Sequence, residues 1–417
     1  MMRNPGVLSR VCSVVRRLAV LSFHTSPLAQ PGTGDGGGMN VYVRELSSAL
    51  AGAGVECDVF TRSWQPGLPP VVEVEPGFRV HHVTAGPEAS VAKEDLAQHL
   101  DQFTAGVLDR IDESGPPDVI HANYWLSGVS GHLLKHRLEL PLVSTFHTLA
   151  RVKAEEAAEE HDRRAREEAV VIGCSDAILA SCDDEQSQLE RHYEAHPGRV
   201  EVVPPGVDHE LFAPGDRSRA RARLGLGDGP MLLFVGRIQP LKGVDVAIAA
   251  AAHLGPGVTL VVVGGPSGPD GEAERRRLDH LVTALGTGAR ISFVPPQPHA
   301  ELATWYRAAD VCLVPSRSES FGLVALEAAA CGTPVVAAAV GGLPSLVDHG
   351  VTGFLVEGGD AAGFAACASR LLGDRVLAAA MGEAAAKGAR RYSWSITAAR
   401  LRRLYADLTA RDLVECR

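Results

Sequence analysis

The sequence is short of the features that mark several protein classes. It holds no apolar run of about 18 residues, so no segment reads as a membrane-spanning helix. It has no basic surplus: 40 Lys plus Arg stand against 50 Asp plus Glu, a formal charge of −10. That balance speaks against a nucleic-acid partner, because such binding rests on phosphate neutralisation, and against tight docking on an anionic membrane. The eight cysteines (Cys12, Cys57, Cys174, Cys182, Cys312, Cys331, Cys367 and Cys416) form no Cys-x-x-Cys pair and no His/Cys cluster at zinc spacing. Most lie in apolar runs and are expected to be reduced thiols acting as small core residues of a cytoplasmic protein. There is no internal repeat and no coiled-coil heptad.

With 417 residues, 46% of them apolar, the chain can bury full-sized cores and is long enough for two or three domains. The opening stretch carries Arg3, Arg10, Arg16 and Arg17, like the start of a signal peptide. Arg16-Arg17, however, splits the apolar run, so residues 1–16 read as a disordered arm, or as sequence upstream of the true start, and not as a targeting signal. From there, short apolar runs alternate with helical patterns. They are Leu18–Phe23, Cys57–Thr61, Val80–Thr84, Val119–Ala122, Leu142–Phe146, Ile178–Ser181, Leu232–Val235, Thr259–Val263, Ile291–Val294, Cys312–Pro315 and Val335–Ala338. Continuous apolar strands separated by helices predict an α/β fold with parallel sheets covered on both faces. The alternation restarts after Val202-Val203-Pro204-Pro205-Gly206-Val207-Asp208, where Pro and Gly make a connection. The expected division is a first Rossmann-like lobe over 17–205 and a second over 206–392. A final segment, 393–417, carries an apolar stripe at Ile396, Ala399, Leu401 and Leu404 that could cross back to the first lobe.

Ligands of doubly wound sheets bind beyond the carboxyl ends of the strands, so the loops after strands carry the chemistry. After the first strand come His24-Thr25-Ser26-Pro27-Leu28 and then Gln30-Pro31-Gly32-Thr33-Gly34-Asp35-Gly36-Gly37-Gly38-Met39-Asn40, leading into a helix. Clustered glycines let backbone N–H groups approach a ligand at a helix N-terminus, where an anion is favoured; the plainer alternative is a turn. In the second half, Arg237 and Lys242 occupy one strand-to-helix loop and suit a diphosphate. Gly264-Gly265 follows the next strand, and Ser318-Glu319-Ser320-Phe321-Gly322-Leu323-Val324-Ala325-Leu326-Glu327 places one carboxylate in a loop and another in the helix behind it. The intervening Ser320, Phe321 and Gly322 offer helix N-terminal amides.

Together, Gly-Arg…Lys-Gly, Glu-Ser-Phe-Gly-Leu-Val…Glu-Ala…Gly-Thr-Pro-Val-Val, Gly-Gly-Leu-Pro and Gly-x-x-Gly-Phe-Leu-Val resemble the retaining family-4 glycosyltransferases. Their GT-B architecture is two Rossmann-like doubly wound lobes facing across a cleft, and the likeness runs from about Leu18 to Leu404. Within that family, the His24–Leu28 and Gln30–Tyr42 segments, Tyr124-Trp125-Leu126-Ser127-Gly128 and His147-Thr148-Leu149-Ala150 are similar to the subgroup that transfers N-acetylglucosamine from UDP-GlcNAc to inositol phosphate, opening mycothiol synthesis.

The resemblance implies roles. Arg237, Lys242 and the Ser320–Gly322 amides would hold the donor diphosphate and stabilise the charge that builds on the departing nucleotide. Glu319 would hydrogen-bond the transferred sugar, Glu327 the ribose, and His147 the donor sugar; Gln297 stands where relatives read uracil through the backbone, often with Arg, a departure expected to matter little. Gln30, Pro31 and Gly38 complete the donor side. The acceptor would meet His24, Asp35, Gly36, Gly37, Gly38, Met39 and Asn40, and its phosphate would meet Lys93, Tyr124, Thr148 and Arg164, with Arg163 or Arg166 open as substitutes for Arg164. Retaining transfer in this family needs no enzyme base, since the departing phosphate takes the acceptor's proton. Two carboxylates alone would equally suggest a glycosidase, but no opposed acid and nucleophile pair is evident. GT-B enzymes generally lack an Asp-x-Asp metal site and none occurs here, so no metal site and no required cofactor are expected and any Mg²⁺ would be accessory. Another family-4 activity (a sucrose-phosphate-type synthase or a mannosyltransferase), a non-catalytic sugar-nucleotide binder and a nicotinamide oxidoreductase remain alternatives, and a homodimer stays open.

Overall fold

A computed structural model describes residues 14–416 apart from 33, 35, 157–161, 269 and 287. Residues 1–13 of the expected arm, and the candidate Asp35, lie outside the described residues.

The first sheet contains β1 (Arg17–Leu21), β2 (Glu56–Arg62), β3 (Val71–Glu75), β4 (Phe78–Val83), β5 (Val119–Asn123), β6 (Leu142–Thr145), β7 (Ala177–Ala180) and β8 (Val200–Val202), in the order β3-β4-β2-β1-β5-β6-β7-β8. The second contains β9 (Met231–Val235), β10 (Thr259–Val263), β11 (Arg290–Val294), β12 (Val311–Val314), β13 (Val335–Ala338) and β14 (Gly353–Val356), in the order β11-β10-β9-β12-β13-β14. Strand β1 shows why these runs do not alternate in polarity. Its Leu18 and Val20 face one apolar layer and its Ala19 and Leu21 face another, so both faces of the pleat are covered by helices. Each fully buried Leu or Val of this kind stabilises the fold by about 1.5–3 kcal/mol.

Every pairing is parallel except β3 with β4. Strand β3 was not among the expected runs because it alternates Val with Glu on a partly exposed edge. Strand β14 also escaped, being four residues long and starting at Gly353.

Strand β1 lies between β2 and β5, and β9 between β10 and β12. At each of these central strands the chain order reverses, and the loops beyond the strand ends part to leave a crevice. The glycine-rich loop leaves β1 and the Arg237–Lys242 loop leaves β9, so both candidate loops stand at switch points.

The helix Trp394–Thr409 packs on the helix Gly38–Gly52 of the first lobe. Its buried face is Trp394, Thr397, Ala398, Leu401, Tyr405 and Leu408; of the stripe expected from sequence, Leu401 is buried and Leu404 packs half-buried on the same layer, whereas Ile396 is 43% exposed and Ala399 faces out. Polar anchoring decides the phase. Thr397 Oγ1 donates to the Pro204 carbonyl at 2.8 Å and Tyr405 OH shares a 2.8 Å hydrogen bond with His121 Nδ1 on β5. At the crossing, a Cβ on Gly206 would lie 2.2 Å from the Trp394 nitrogen, so only glycine fits.

The expectation of reduced thiols acting as core residues fits four cysteines and fails at one pair. Cys57, Cys182, Cys312 and Cys331 are buried and free, but Cys174 and Cys416 meet, with Cα atoms 4.6 Å apart.

Candidate functional site

The two lobes enclose a cleft of about 320 Å³ lined from both sides. That is the scale of a small-molecule site. From the second lobe it receives Arg237, Lys242, Gln297, Glu319, Ser320, Phe321, Gly322 and Glu327; from the first, His24, Pro31, Gly37, Gly38, Met39, Lys93, Tyr124, His147 and Thr148.

On the second-lobe side, Lys242 donates to Glu319 Oε2 at 2.6 Å, and Ser316 Oγ bonds the same oxygen at 3.2 Å. This pair fixes the ammonium at the rim of the loop after β9. Gly322, with φ of 102°, caps the helix Leu323–Ala330, and a Cβ there would strike Leu343 Cδ2 at 2.6 Å. Both the left-handed backbone and the space therefore demand glycine, and this turn aims the Ser320–Gly322 segment at the cleft. Glu327 is buried, its Oε1 accepting from His299 Nε2 and its Oε2 from Tyr306 OH, each at 2.7 Å. A carboxylate has about four lone-pair directions, so these contacts orient Glu327 while leaving capacity for a diol. Burial opposes protonation of His299, but the charge and hydrogen bond of Glu327 outweigh it and raise its pKa. Gln297 presents its carbonyl inward, accepting from Gln30 Nε2 at 2.6 Å, while its own Nε2 turns back to the Pro295 carbonyl at 2.9 Å.

The glycine-rich loop reaches across to these residues. Ser267 Oγ donates to the Gly34 carbonyl, Gly32 sits against Pro296, and a Cβ on Gly37 would lie 3.2 Å from Arg237 Nε. Gly36 is buried, its carbonyl accepting from the Gly32 N–H at 2.9 Å. Asn40, expected to touch substrate hydroxyls, is 1% exposed and committed to the loop itself. Its Nδ2 donates to Thr25 Oγ1 at 2.6 Å and to the Ser26 carbonyl, and its Oδ1 accepts from the Gly37 N–H at 2.9 Å. That saturates both of its donors, so Asn40 shapes the loop and does not reach into the cleft.

On the first-lobe side the centre is Tyr124, whose φ of 75° strains a non-glycine residue at the entrance to the helix Trp125–Leu138. Lys93 Nζ lies 4.5 Å and the Arg164 guanidinium 4.9 Å from its ring centroid, and the His24 ring sits at 4.4 Å. Arg164 also donates to Thr148 Oγ1 at 3.1 Å and pairs with buried Glu168 at 2.7 Å. Arg163 and Arg166 are exposed, so of the three arginines left open Arg164 is the one that joins Tyr124 and Thr148.

Sequence reading missed Lys153, on the short helix Ala150–Glu156, which also lines the cleft. Burial lowers its pKa to about 7, helped by the charges of Arg164, Lys93 and Arg237 against the opposing pull of Glu168. The same surroundings lower His24 well below its usual value, through burial and then Lys93, His147, Arg164 and Arg237. His147, with φ of 61°, is a second strained residue; its Nε2 meets Asn123 Oδ1 at 2.9 Å and burial lowers its pKa to about 3. It is thus a neutral imidazole. Its carbonyl accepts from Ser320 Oγ, tying the two lobes together at the cleft. The available signal for Lys153 was its place five positions beyond Thr148, too weak to single it out.

The arrangement puts cations and neutral hydrogen-bonding groups on two facing walls, suited to two phosphorylated ligands held side by side. The profile described as Glycosyltransferase Family 4 matches residues 36–211, and that described as Glycosyl transferases group 1 matches residues 216–388. The chain is 49% identical to a D-inositol 3-phosphate glycosyltransferase 2 of Catenulispora acidiphila over 97% of both chains. It is 49% identical to the D-inositol 3-phosphate glycosyltransferase of Mycobacterium tuberculosis, over 92% of this chain and 81% of that one. Among solved structures, a sucrose-phosphate synthase from Thermosynechococcus elongatus superposes with a TM-score of 0.89 at 37% identity, over 95% of this chain and 99% of that one. No helix among the described residues is long and apolar enough to cross a membrane. With two facing α/β lobes, a cleft at both switch points and relatives matched along nearly its whole length, the chain belongs to the GT-B glycosyltransferases of family 4, group 1.

Proposed function

We propose that this enzyme transfers N-acetylglucosamine from UDP-GlcNAc to 1D-myo-inositol 3-phosphate with retention at the anomeric carbon, the first step of mycothiol synthesis, in the cytoplasm. The observation that carries the reading is the second cationic wall. Lys93, Lys153 and Arg164 gather around Tyr124 and Thr148, across the cleft from Arg237 and Lys242. One such wall suits the donor diphosphate; a second suits a phosphate on the acceptor. The relatives' printed names point to the same acceptor.

In the proposed step the bond between the sugar's anomeric carbon and the β-phosphate oxygen breaks. The acceptor hydroxyl oxygen bonds that carbon from the same face, and its proton passes to the departing phosphate. Arg237, Lys242 and the Ser320–Gly322 amides stabilise the growing charge on the nucleotide without themselves exchanging a proton. Glu319 holds Lys242 in place and faces the sugar, Glu327 holds the ribose, and neutral His147, whose Nε2–H donates to Asn123 Oδ1, keeps Nδ1 to accept from a sugar hydroxyl.

Incubation with UDP-GlcNAc and inositol 3-phosphate, followed by mass analysis and the anomeric coupling constant of the product, tests this directly. The 37% identity to a sucrose-phosphate synthase favours one rival, transfer of glucose from UDP-glucose to a hexose phosphate. Faster turnover of that substrate pair would replace the proposal.

A further inference from the structure

Far along the helix that begins at the cleft with Trp125, a second cluster forms that glycosyl transfer does not use. His132 and His136 stand one helical turn apart, their ring centroids 4.8 Å from each other. Cys174, at the end of the helix Asp162–Cys174, and Cys416, near the carboxyl end of the chain, complete the group. One ligand-capable atom from each residue lies within 4.8 Å of every other. His136 Nε2 is 3.0 Å from Cys416 Sγ and 3.4 Å from Cys174 Sγ.

From this geometry we infer a structural metal site: a single zinc-type cation held tetrahedrally by His132, His136, Cys174 and Cys416, stapling the end of the chain to the first lobe. Zinc bonds to sulfur at about 2.3 Å and to imidazole nitrogen at about 2.0–2.1 Å, so neighbouring ligand atoms in such a site sit about 3.3–3.8 Å apart. The four ligand atoms already lie within 4.8 Å of one another, and the two sulfurs, which touch, must part by about 2 Å to admit the ion; Cys416 is exposed, so its side chain can swing outward to do so. Two histidines at i and i+4 on one helix face are a natural chelating pair. A plain Cys174–Cys416 bridge would give the imidazoles no purpose. His132 Nδ1 is buried without a hydrogen-bond partner among the described residues, which is costly unless something coordinates there.

A second layer of contacts holds the ligands. Lys135, between the two histidines, is buried and donates to the Cys174 carbonyl at 2.7 Å, to Asp176 Oδ2 at 2.8 Å and to the Val414 carbonyl at 3.0 Å. Asp176 Oδ1 in turn accepts from the Val414 N–H at 2.7 Å. This buried ion pair docks the tail two residues before Cys416 and so delivers the thiol to its partners. Outer contacts of this kind fix ligand direction in established metal sites. On binding, each thiol releases its proton to solvent and both histidines ligate as neutral rings.

The test uses the full chain, stripped with a chelator and kept reduced with a phosphine. Titration with Co²⁺ is expected to saturate at one equivalent, with near-ultraviolet thiolate-to-cobalt charge-transfer bands and visible bands of tetrahedral intensity, both bleached by Zn²⁺. His136→Ala and Cys416→Ser should each weaken binding by on the order of 100-fold or more, since losing even an outer partner costs about 10–100-fold. Cys367→Ser, altering a thiol outside the cluster, should leave the bands unchanged. Zn²⁺ should raise the thermal midpoint of the wild-type chain and not that of Cys416→Ser. If the reduced, folded chain shows no thiolate band, or if Cys416→Ser binds Co²⁺ as the wild type does, the site does not exist.

Discussion

The two walls of the cleft carry similar charge but are built differently. On the second-lobe wall, Lys242 is locked by Glu319 and Glu327 by His299 and Tyr306, so Lys242 and both carboxylates arrive already partnered. On the first-lobe wall, cations crowd one another around an aromatic ring, and Arg164 is held there by its pairing with Glu168. Burial first, and then that crowding, lowers the pKa values of Lys153 and His24. A paired wall is preorganised, which serves transition-state charge; a crowded wall is relieved when an anion enters, which serves binding. The contrast teaches that the two walls should fail differently when altered.

The largest effect is expected on the paired wall. Lys242→Ala should lower kcat by about 10²–10³-fold, the usual cost of losing one preorganised group that meets developing charge. KM for inositol phosphate should hardly move. Steady-state kinetics with both substrates varied would decide it, and a change confined to KM would break the division of labour proposed for the walls.

On the crowded wall, Lys93→Ala or Arg164→Ala should raise KM for the inositol phosphate by roughly 10–150-fold, the worth of one charge-assisted hydrogen bond of about 1.5–3 kcal/mol. The effect on kcat should be small. Equal losses in kcat would mean that these cations also serve the chemical step. The Arg164 variant carries a second risk, because it strands buried Glu168; a thermal melt run alongside separates lost binding from lost fold.

Much of this site was legible in the chain, and the rest was hidden for physical reasons. The second-lobe groups fall in two contiguous windows after strands, 236–243 and 318–327, where local sequence is the site. The fold was legible for the same reason, since strands buried on both faces are continuous apolar runs, and edge strand β3 and the short β8 and β14 escaped. The first-lobe wall is assembled from five separated segments, and Lys153 lies in a charge-rich stretch that reads like any solvated helix face. Its character comes from neighbours brought in by the fold. Asn40 was misjudged because a polar residue beside glycines looks the same whether it faces a ligand or ties the loop. Part of the last helix's buried face was missed because Thr397 and Tyr405 are buried with their hydrogen bonds, which a hydrophobic pattern cannot register. Cys174 and Cys416 are 242 positions apart, beyond any spacing rule.

A pH profile sharpens the same contrast with a smaller effect. A lysine with a pKa of about 7 loses its charge as pH rises through neutrality, whereas a phosphate monoester gains its second charge near pH ~6. Acceptor binding should therefore be tightest between these values, and KM for the inositol phosphate should climb above pH ~7 until Lys153 is neutral. In Lys153→Arg, which stays charged throughout, that alkaline rise should vanish while kcat keeps its profile. An unchanged rise in the arginine variant would assign the titration to another group.

The smallest effect is expected at Gln297, where the paired wall meets the glycine-rich loop. Its inward contact is the backbone carbonyl that accepts from Gln30, while its side chain folds back on the Pro295 carbonyl. A side chain turned away from the ligand can be exchanged with little consequence, as for substitutions away from special features, which stay within about 0.5 kcal/mol. Gln297→Arg should thus leave donor KM within about 2-fold, whereas Gln30→Ala, which removes one of the hydrogen bonds between the lobes, should raise it further. Titration of donor binding by calorimetry in both variants ranks them. A larger loss for Gln297→Arg would show that the side chain, and not the backbone, meets the donor, and would make this position on the second lobe's wall a reader of side-chain chemistry.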